Sequence, residues 1–502
     1  MNQILKIEKK YADSVTNLAL DTLKNNKQAL IFVNTKRSAE KCAEEISKKL
    51  KQPNNELLEL SVNSLKAVQK PTKQCRRLSF CLEKGIAFHH ASLHSKQKDL
   101  IESNFRKGNI KIICCTPTLA AGLDLPAFRA IIRDVKRYTG RGMQNIPVLE
   151  YLQMSGRAGR PSYDKYGEAI LVSSSDSQKN NLMEEYVNGE PEDIYSKLAV
   201  EPVLRTYLLS LISTKVIQTK DQILNFFEKT FWAFQFKDMH KLEKTIIRML
   251  KLLESWEFIQ FTDNKFRATL LGKRIAELYI DPLTASEFVQ ALNKADENIK
   301  HIALLQLVSN TLEMRPLLRV KLKEYDDFQE ELTKYENYFL SEEPSMFDAE
   351  YDFYLNSVKT CFMLNDWIEE KDDDFLMENY DAGPGIVRIK IETANWLLYA
   401  LYEIARIQQR QNILKDIIKL KFRLKYGAKE ELLSLLRLKN IGRVRARKLF
   451  RANLKNISDV KNAKPEVLTR IIGSKKLAEE LLNQTGAKIE KNNNKRQLSD
   501  FS

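Results

Sequence analysis

The sequence predicts a parallel α/β domain over residues 1–188, followed by mainly α-helical domains over the rest of the chain. Up to about residue 185, short apolar runs alternate with helical patterns, as the strands and crossover helices of a parallel sheet do. From about residue 190 the apolar positions recur almost entirely at helical spacing. With 43% apolar residues among 502, the chain can bury several cores, so we expect about three or four domains.

Four strands are predicted in the first domain. They occupy residues 29–34, 110–115, 130–133 and 169–172. The first strand leads into a helix that ends near Leu50, which makes one βα unit. In such sheets functional loops gather at the carboxyl ends of the strands, and we expect the same of this domain.

Residues 189–283 are predicted to form a winged helix, because three helical segments occur with a short β-like pair around residues 258–261 and 266–269. Residues 284–427 follow as a helical bundle. Within it, the turn-forming run DAGPG at residues 381–385 precedes a long amphipathic helix.

The small helical unit at residues 428–487 contains the run IGRVRAR, which resembles a helix-hairpin-helix motif. A glycine at the position of Gly442 lets the backbone approach a phosphate, which the N–H groups of a helix N-terminus then bind. The cations that would add attraction to the phosphate are Arg443, Arg445, Arg447 and Lys448. A pair of basic, solvated helices is the alternative interpretation.

The polar tail, residues 488–502, is predicted to be disordered. Its end, Gln497–Ser502, is similar to short peptides that bind sliding clamps, although the glutamine does not stand three residues before the leucine.

The net charge of +15 favours a polyanionic partner, and the charge is segregated along the chain. Residues 406–456 hold 16 Lys or Arg and 3 acidic residues, whereas residues 324–381 hold 19 acidic and 3 basic residues. Two solvated faces would explain this pattern. The basic block coincides with the helix-hairpin-helix-like run, however, which favours nucleic acid.

The composition also limits the cellular setting. No run of 18 or more apolar residues occurs and the N-terminus lacks a signal-peptide core, so we expect a cytoplasmic protein without a membrane partner. The six cysteines show no C-x-x-C spacing, so we expect core thiols and no metal site.

The run QMSGRAGRP at residues 153–161 predicts a nucleotide-binding loop. Arg157 and Arg160, beside Gly156 and Gly159, suit a loop that binds the terminal phosphate of ATP and stabilises the charge that develops there during hydrolysis. Gln153 lies on the same loop. A loop that merely binds a carboxylate is the alternative.

An ATPase of this kind also needs a P-loop and a pair of carboxylates that hold Mg²⁺, and neither is found in the 502 residues. The one Gly-Lys pair, Gly272 and Lys273, is followed by Arg274 instead of a hydroxyl residue. The one Asp-Glu pair, Asp296 and Glu297, does not follow a buried strand pattern. We therefore expect the ligands for Mg²⁺ outside this sequence.

The long helix predicted at residues 386–406 is amphipathic when it is projected at about 100° per residue. One side carries the apolar residues Ile386, Ile389, Leu397, Leu401 and Ile404. The other side carries Arg388, Glu392, Tyr399, Glu403 and Arg406. Trp396 stands at the border, where an aromatic residue usually belongs to the core.

Three segments look like motifs of superfamily-two helicases. Residues 29–37 resemble motif IV, residues 116–126 resemble motif V, and residues 153–161 resemble motif VI. The whole chain resembles the archaeal Ski-two-like DNA helicases that act at replication forks, from their second RecA-like domain to their C-terminal helix-hairpin-helix. Three more runs look like signatures of that family: Gly189–Asp193, Tyr279–Leu283 and Asp366–Lys371.

The resemblance implies roles for residues of motifs IV and V. Thr118 and Gly122 would lie near the nucleic-acid backbone, and Asp124, where close relatives usually carry Asn, would approach the ribose of the nucleotide. Thr35 and Arg37 would contact phosphates. An ordinary helix cap is the alternative for this pair.

The resemblance also implies contacts with separated DNA strands. Residues 137–146 fill the interval in which the family places a β-hairpin that opens the duplex, and Tyr138 would stack on a terminal base pair; a plain surface hairpin is the alternative. Trp396 resembles the tryptophan of the family's ratchet helix, which stacks on a base. Ile389 replaces a basic residue of the family, so we expect either Arg388 or Lys390 to take over its contact.

Our main hypothesis is that the chain is the C-terminal subunit of a split ATP-dependent DNA helicase. A partner chain would supply the first RecA-like domain with its P-loop, so the chain alone should not hydrolyse ATP. By family implication the complex would move 3′ to 5′ on single-stranded DNA and unwind forked or branched duplexes in replication-linked repair. The alternatives are a non-catalytic DNA-binding scaffold with a vestigial helicase fold, half of an RNA helicase, or a truncated form of a longer chain.

Overall fold

The computed structural model describes most of the chain. The described residues are 5–51, 54–68, 70–122, 125–139, 142–160, 164–198, 200–295 and 299–486. The clamp-like peptide Gln497–Ser502 and the rest of the tail lie outside them. Contacts divide the chain into two compact units, one of residues 1–195 and 373–388, the other of residues 196–372 and 389–502. Within the described ranges, no helix has the length and apolar character needed to cross a membrane.

The first unit is built on a parallel sheet whose strand order is β2-β3-β1-β4-β7. Its strands are β1 (Ala29–Phe32), β2 (Ile86–His89), β3 (Ile112–Cys115), β4 (Arg129–Ile132) and β7 (Glu168–Leu171). All pairs are parallel and in register from their first residues, with Ala29 opposite Ile112 on one side and Arg129 on the other. Strands β5 (Lys136–Thr139) and β6 (Gly142–Asn145) form a separate antiparallel hairpin.

The four predicted strands of this sheet are confirmed, but a fifth, β2, was not predicted. Its four residues are buried and lie between the turn at Gly85 and the buried His90. So short an apolar run has no periodicity that distinguishes a strand from a helix end.

Helices cover the sheet of the first unit. They are α1 (Ser14–Lys24), α2 (Lys36–Ser47), α3 (Asn55–Lys66), α4 (Lys73–Leu82), α5 (Ser95–Arg106), α6 (Thr118–Gly122), α7 (Val148–Ser155) and α8 (Asp176–Leu182). A π-helical turn, Met183–Val187, follows α8. The core consists of the fully buried side chains of β1 to β4 with the inner faces of these helices, as in other parallel sheets whose faces are covered.

The second unit begins with helices around an antiparallel strand pair. The helices are α9 (Glu201–Ser213), α10 (Lys220–Glu228), α11 (Phe231–Phe236), α12 (Met239–Ser255) and α13 (Leu270–Leu278), and the strands are β8 (Ile259–Thr262) and β9 (Lys265–Ala268). The predicted strand pair is confirmed, but the prediction of three helical segments was wrong. Thr230 caps α11 and splits one apolar stretch into two helices, each too short to show a helical period.

The rest of the chain is helical in its described parts. The bounds are α14 (Pro282–Lys294), α15 (His301–Ser309), α16 (Tyr325–Thr333), α17 (Tyr351–Ile368), α18 (Asp373–Tyr380), α19 (Pro384–Ile407), α20 (Gln411–Tyr426), α21 (Arg443–Arg451), α22 (Ile457–Lys461), α23 (Pro465–Ile472) and α24 (Lys475–Gln484). Residues 428–482 surround a separate apolar core.

The run DAGPG between α18 and α19 packs against the loop that follows β2. The Gly385 N–H donates to the Ser92 carbonyl at 3.0 Å. A Cβ on Gly385 would lie 2.1 Å from the Ala91 oxygen, and one on Gly383 would lie 2.7 Å from Ser92 Cβ. The glycines are therefore needed for close approach, and residues 373–388 pack with the first unit, whereas the sequence pattern grouped them with the helical bundle.

Candidate functional site

Motifs V and VI lie side by side in the first unit. The Arg157 guanidinium donates from Nε to the Ala120 carbonyl at 3.2 Å and from Nη2 to the same oxygen. The Ala127 N–H donates to the Arg157 carbonyl at 2.9 Å, and the Gly159 N–H donates to the Ala127 carbonyl at 2.7 Å. The Arg157 side chain thus joins motif VI to motif V, and two backbone hydrogen bonds join motif VI to Ala127, directly after motif V.

Arg160 is held by a buried carboxylate. Its Nε lies 2.7 Å from Asp164 Oδ2, and its Nη1 donates to Gln28 Oε1 at 2.6 Å. Lys27 Nζ lies 2.6 Å from the other oxygen of Asp164, whose side chain is 1% exposed. Hydrogen bonding from Arg160, together with Lys27, lowers the pKa of Asp164.

The arginine loop lies at the amino ends of the strands, which corrects the prediction that the functional loops share the carboxyl edge. Gln28, the partner of Arg160, immediately precedes β1, and the loop itself leads into the start of β7. The helix α7 begins after the hairpin at the carboxyl edge and runs back across the sheet. A loop that precedes a parallel strand must enter it from the amino end.

The carboxyl edge carries a cavity of about 590 Å³ that brings Thr118 and Gln153 together with Asn34 and Asp134. Thr118 is exposed, and its hydroxyl lies 2.9 Å from the Thr116 hydroxyl. The Asn34 N–H donates to Asp134 at 3.1 Å. Hydroxyl and amide groups at the ends of neighbouring strands can bind a sugar-phosphate backbone.

The glycines of motif VI shape its turn. Gly156 ends α7, where a Cβ would lie 3.0 Å from the Leu152 carbonyl oxygen. Gly159 has φ +96°, a conformation that side-chain-bearing residues rarely adopt. In motif V, Gly122 ends α6, and Asp124 lies outside the described residues.

The run Gly189–Asp193 supports the helix of motif VI. The Glu192 carboxylate accepts the N–H groups of Val148 at 2.6 Å and Leu149 at 3.1 Å, and so caps the N-terminus of α7. These bonds, that from Leu149 first, lower the pKa of Glu192. The sequence suggested a family signature here but no role, because the helix that Glu192 caps is some 40 residues away along the chain.

The predicted hairpin between motifs V and VI is confirmed as a structure, with its base held by an ion pair between Arg137 and Glu150 at 2.8 Å. Tyr138 faces Met143 across the strands, and the two side chains are 63% and 58% exposed. Two large apolar side chains in solvent suit stacking on a base pair. Residues 140–141 at its tip lie outside the described ranges.

In motif IV, Thr35 is the cap of α2, because its hydroxyl accepts the Ser38 N–H at 3.0 Å. Arg37 extends into solvent, with a side chain that is 75% exposed, and its Nη2 lies 3.5 Å from Asp381 Oδ1. The alternative of a helix cap therefore describes Thr35, whereas Arg37 is accessible to a phosphate.

The long helix α19 corrects two sequence interpretations. Lys390, a candidate for a phosphate contact, is 4% exposed, and its ammonium donates to the carbonyls of Met314 and, at 2.7 Å, Pro316. Burial lowers its pKa to about 8. Ile389, placed on the apolar side by the projection, is 52% exposed. The buried face is thus rotated toward Lys390, and a buried ammonium cannot contact DNA.

The other two candidates on α19 remain at the surface. Arg388 is exposed, and its Nη1 donates to the Ser95 hydroxyl at 3.2 Å. Trp396 is 37% exposed, and its indole N–H donates to the Leu278 carbonyl at 3.0 Å. The hydrogen bond fixes the ring and leaves part of it accessible, as a stacking platform requires.

Some arginines of the basic C-terminal run already form contacts within the second unit. Arg447 pairs with Glu370 and Glu431, both at 2.6 Å. The Arg443 guanidinium stacks over the Trp367 ring, with its central carbon 4.6 Å from the ring centroid, and donates to the Gly427 carbonyl at 3.2 Å. For Arg447, the prediction of a phosphate contact is therefore corrected to a structural ion pair.

Two residues of the run keep an open environment. Gly442 precedes α21, and a Cβ there would meet nothing within 4 Å. The space around this glycine is therefore open, and its backbone is not strained. Arg445 is exposed, with Nη1 donating to the Asn440 carbonyl at 3.0 Å. The remaining phosphate-binding candidates of this run are therefore the exposed Arg445 and Lys448 and the N-terminus of α21.

The signature Asp366–Lys371 explains part of the charge segregation. Glu369 pairs with Arg423 at 2.6 Å, and Glu370 pairs with Arg447. Carboxylates of the acidic stretch thus neutralise cations of the basic block. Across the described residues, no group of three or more His, Cys, Asp or Glu side chains is arranged so that it could hold a metal ion.

Comparison with known proteins identifies the family. Family models for the helicase conserved C-terminal domain, a helix-turn-helix domain and domain 4 of archaeal helicases match residues 10–162, 167–260 and 302–427. The ATP-dependent DNA helicase Hel308 of Pyrococcus horikoshii is 38% identical over 485 residues, which cover 95% of this chain and 66% of the relative. That of Methanococcus vannielii is 37% identical over 525 residues, which cover 95% and 68%. The chain spans about two thirds of the length of these curated relatives. It belongs to the Hel308 family of Ski-two-like superfamily-two DNA helicases and matches a C-terminal part of its relatives.

Proposed function

We propose that this chain works as the C-terminal part of an ATP-dependent DNA helicase that moves 3′ to 5′ and unwinds forked or branched DNA in replication-linked repair. The first RecA-like domain, with its P-loop and the carboxylates that hold Mg²⁺, is supplied by a partner chain. The observation that carries the proposal is the joining of motifs V and VI through Arg157 and the Ala120 carbonyl. This arrangement links a nucleotide-sensing loop to a loop that faces the nucleic acid.

In this proposal the arginines of motif VI act on ATP. Arg157 and Arg160 stabilise the charge on its terminal phosphate, and Asp124 binds the ribose. Gln153, on α7, contributes to catalysis from the side of the carboxyl-edge cavity. Both arginines already have oxygen partners, so ATP must replace a carbonyl at Arg157 and compete with Asp164 at Arg160. A phosphate oxygen can replace the present oxygen partner of a guanidinium, because both accept hydrogen bonds from it. Each arginine can therefore change partners when the nucleotide binds.

The DNA-binding residues lie on both units. We place Thr118, Gly122, Arg37 and Tyr138 on the first unit and Arg388 at its end, and Trp396 with Gly442 and Arg445 on the second. Thr118, Tyr138, Arg388 and Arg445 are exposed. The domain assignments stay proposals: a second RecA-like domain to residue 188, a winged helix to 283, a ratchet bundle to 427 and a helix-hairpin-helix to 487.

The test is strand separation by the two-chain complex. The chain is mixed with the chain from the same cells that carries the P-loop, and unwinding is followed on forks whose single-stranded arm has either polarity. We expect ATP-dependent unwinding from a 3′ arm and its loss in Arg157→Ala. Equal unwinding of a matched RNA fork would favour the RNA-helicase alternative. Binding of a sliding clamp to the tail is tested separately, by deleting Gln497–Ser502.

A non-catalytic DNA-binding scaffold is the second candidate, and one observation favours it. Arg157 and Arg160 make contacts that would hold the fold together even without ATP. Their presence therefore does not by itself require a nucleotide. DNA binding by the complex without any ATP turnover, under conditions in which the partner's own P-loop binds ATP, would support the scaffold.

A further inference from the structure

A carboxylate occupies the pair of cations at the start of α2. Asp381 Oδ1 lies 3.1 Å from Lys36 Nζ and 3.5 Å from Arg37 Nη2. Lys36 Nζ also donates to the backbone carbonyl of Asp381 at 2.7 Å. All three residues belong to the first unit, although Asp381 is more than 340 residues away along the chain.

Lys36 and Arg37 line a cavity of about 450 Å³. Arg77 also lines it, but its guanidinium is paired with the carboxylates of Glu40 and Glu44. Arg37 is 75% exposed and Asp381 is 35% exposed, so a dissolved anion can reach both side chains. The cavity therefore presents an accessible cation pair in which an internal carboxylate already sits.

We propose that Asp381 occupies the place of a nucleic-acid phosphate at Lys36 and Arg37, and that single-stranded DNA must displace it in order to bind there. The inference rests on the proposed DNA-binding function. Carboxylates and phosphodiesters both bind Lys and Arg through charge-assisted hydrogen bonds. A phosphate at this pair would stand close to the carboxylate, and the repulsion between the two anions opposes binding.

The position also connects DNA binding to the segment between α18 and α19. Asp381 ends this segment's acidic helix, and Gly383 and Gly385 pack on the loop after β2. Displacement of the carboxylate removes its ion pairs with Lys36 and Arg37, while the bond from Lys36 to the Asp381 carbonyl can remain. Asp381 thus acts as an internal competitor that weakens binding and loosens one contact of this segment when DNA arrives.

The backbone makes a clean test possible. Asp381 has φ +54°, a conformation that Asn and Gly adopt more readily than other residues. Asp381→Asn keeps the size of the side chain and removes the charge. Asp381→Gly removes the side chain altogether and serves as a second variant, should the first fail to fold. Thermal unfolding checks that each variant is folded.

The experiment measures the affinity of the full chain for a fluorescein-labelled oligothymidine by anisotropy at low salt. We expect Asp381→Asn and Asp381→Gly to bind about three- to tenfold more tightly than the unaltered chain. The gain should vanish when Lys36→Met and Arg37→Ala are combined with Asp381→Asn. Asp99→Asn is the matched control, because it removes the same charge from an exposed site on α5 outside the cavity.

Three results would overturn the inference. The first is an affinity gain of Asp381→Asn that is no larger than that of Asp99→Asn. The second is a gain that persists when Lys36 and Arg37 are replaced. The third is weaker binding of the oligonucleotide by Asp381→Asn than by the unaltered chain. Each of these leaves the proposed function intact as long as the unaltered chain binds the oligonucleotide. If neither the unaltered chain nor any variant binds the oligonucleotide, the proposed function fails together with the inference.

Discussion

Gly427 lies against the indole ring of Trp367, where a Cβ on the glycine would stand 2.5 Å from Cε2. The indole cannot retreat easily, because its N–H donates to the Leu424 carbonyl at 2.7 Å and Arg443 stacks over its ring. Gly427 has φ +61° and ends α20. This contact joins the signature Asp366–Lys371 to the start of the C-terminal helical unit.

We predict that Gly427→Ala lowers the free energy of unfolding by about 3 kcal/mol, because the methyl group both overpacks the contact and occupies a left-handed backbone conformation. Gly473→Ala is the control, since Gly473 also ends a helix with φ +78° but has nothing within 4 Å of a Cβ. It should cost about 1 kcal/mol. Urea unfolding of both variants checks this, and equal losses would rule out the contact with Trp367 as the cause.

Arg447 is predicted to stabilise the fold without contributing to the salt dependence of DNA binding. Arg447→Ala leaves Glu370 without its bidentate partner and should lower the free energy of unfolding by about 2 kcal/mol. Lys448→Ala, at an exposed neighbour, should leave stability unchanged and reduce the salt slope for single-stranded DNA by about 0.7. The interpretation is wrong if Arg447→Ala reduces the slope and leaves the protein as stable as before.

Lys390 predicts a pH dependence of stability. Its folded pKa of about 8 lies below the value of an ordinary lysine, so between pH 8 and that value the unfolded chain holds a proton that the folded chain has released. Stability relative to Lys390→Met should therefore rise across this range, by at most about 1.4 kcal/mol per pH unit, and stay level below it.

Unfolding of the two proteins in urea at about pH 7.5 and about pH 9.5 measures this difference. A constant difference would show that the ammonium titrates normally.

At neutral pH, Arg388→Ala should weaken the binding of single-stranded DNA, whereas Lys390→Met should not, because the Lys390 ammonium is buried.

Asp164 is predicted to stabilise the loop of motif VI at neutral pH. Its pKa is lowered by Arg160 and then by Lys27, so its contribution is present above the ordinary pKa of aspartate and is lost as the pH falls through the lowered value. Asp164→Asn leaves two cations without their carboxylate and should cost about 3 kcal/mol at neutral pH. The loss should shrink in acid, as thermal unfolding at a series of pH values would show, and an unchanged loss would contradict the ion-pair explanation.

Sequence reasoning located four of the five sheet strands of the first unit and the two arginines, but not the partners of the arginines. Glycines and arginines at fixed spacing are visible in one segment, whereas Gln28 meets Arg160, and Lys27 meets Asp164, only because the parallel sheet brings together segments more than 130 residues apart. On α19 the projection failed at Ile389, which is exposed, and the expected DNA contact failed at Lys390, because a lysine can enter the interior when carbonyls receive its ammonium. Charge counts failed at Arg447 because its partner belongs to the acidic stretch.

ATP hydrolysis in the presence of single-stranded DNA tests the proposed split helicase most directly, when it is measured for the purified chain alone and after addition of the chain that carries the P-loop. We predict no turnover by the chain alone, DNA-dependent turnover by the mixture, and loss of that turnover with Arg157→Ala in this chain. Turnover by the purified chain alone, or turnover by the mixture that Arg157→Ala leaves unchanged, would contradict it.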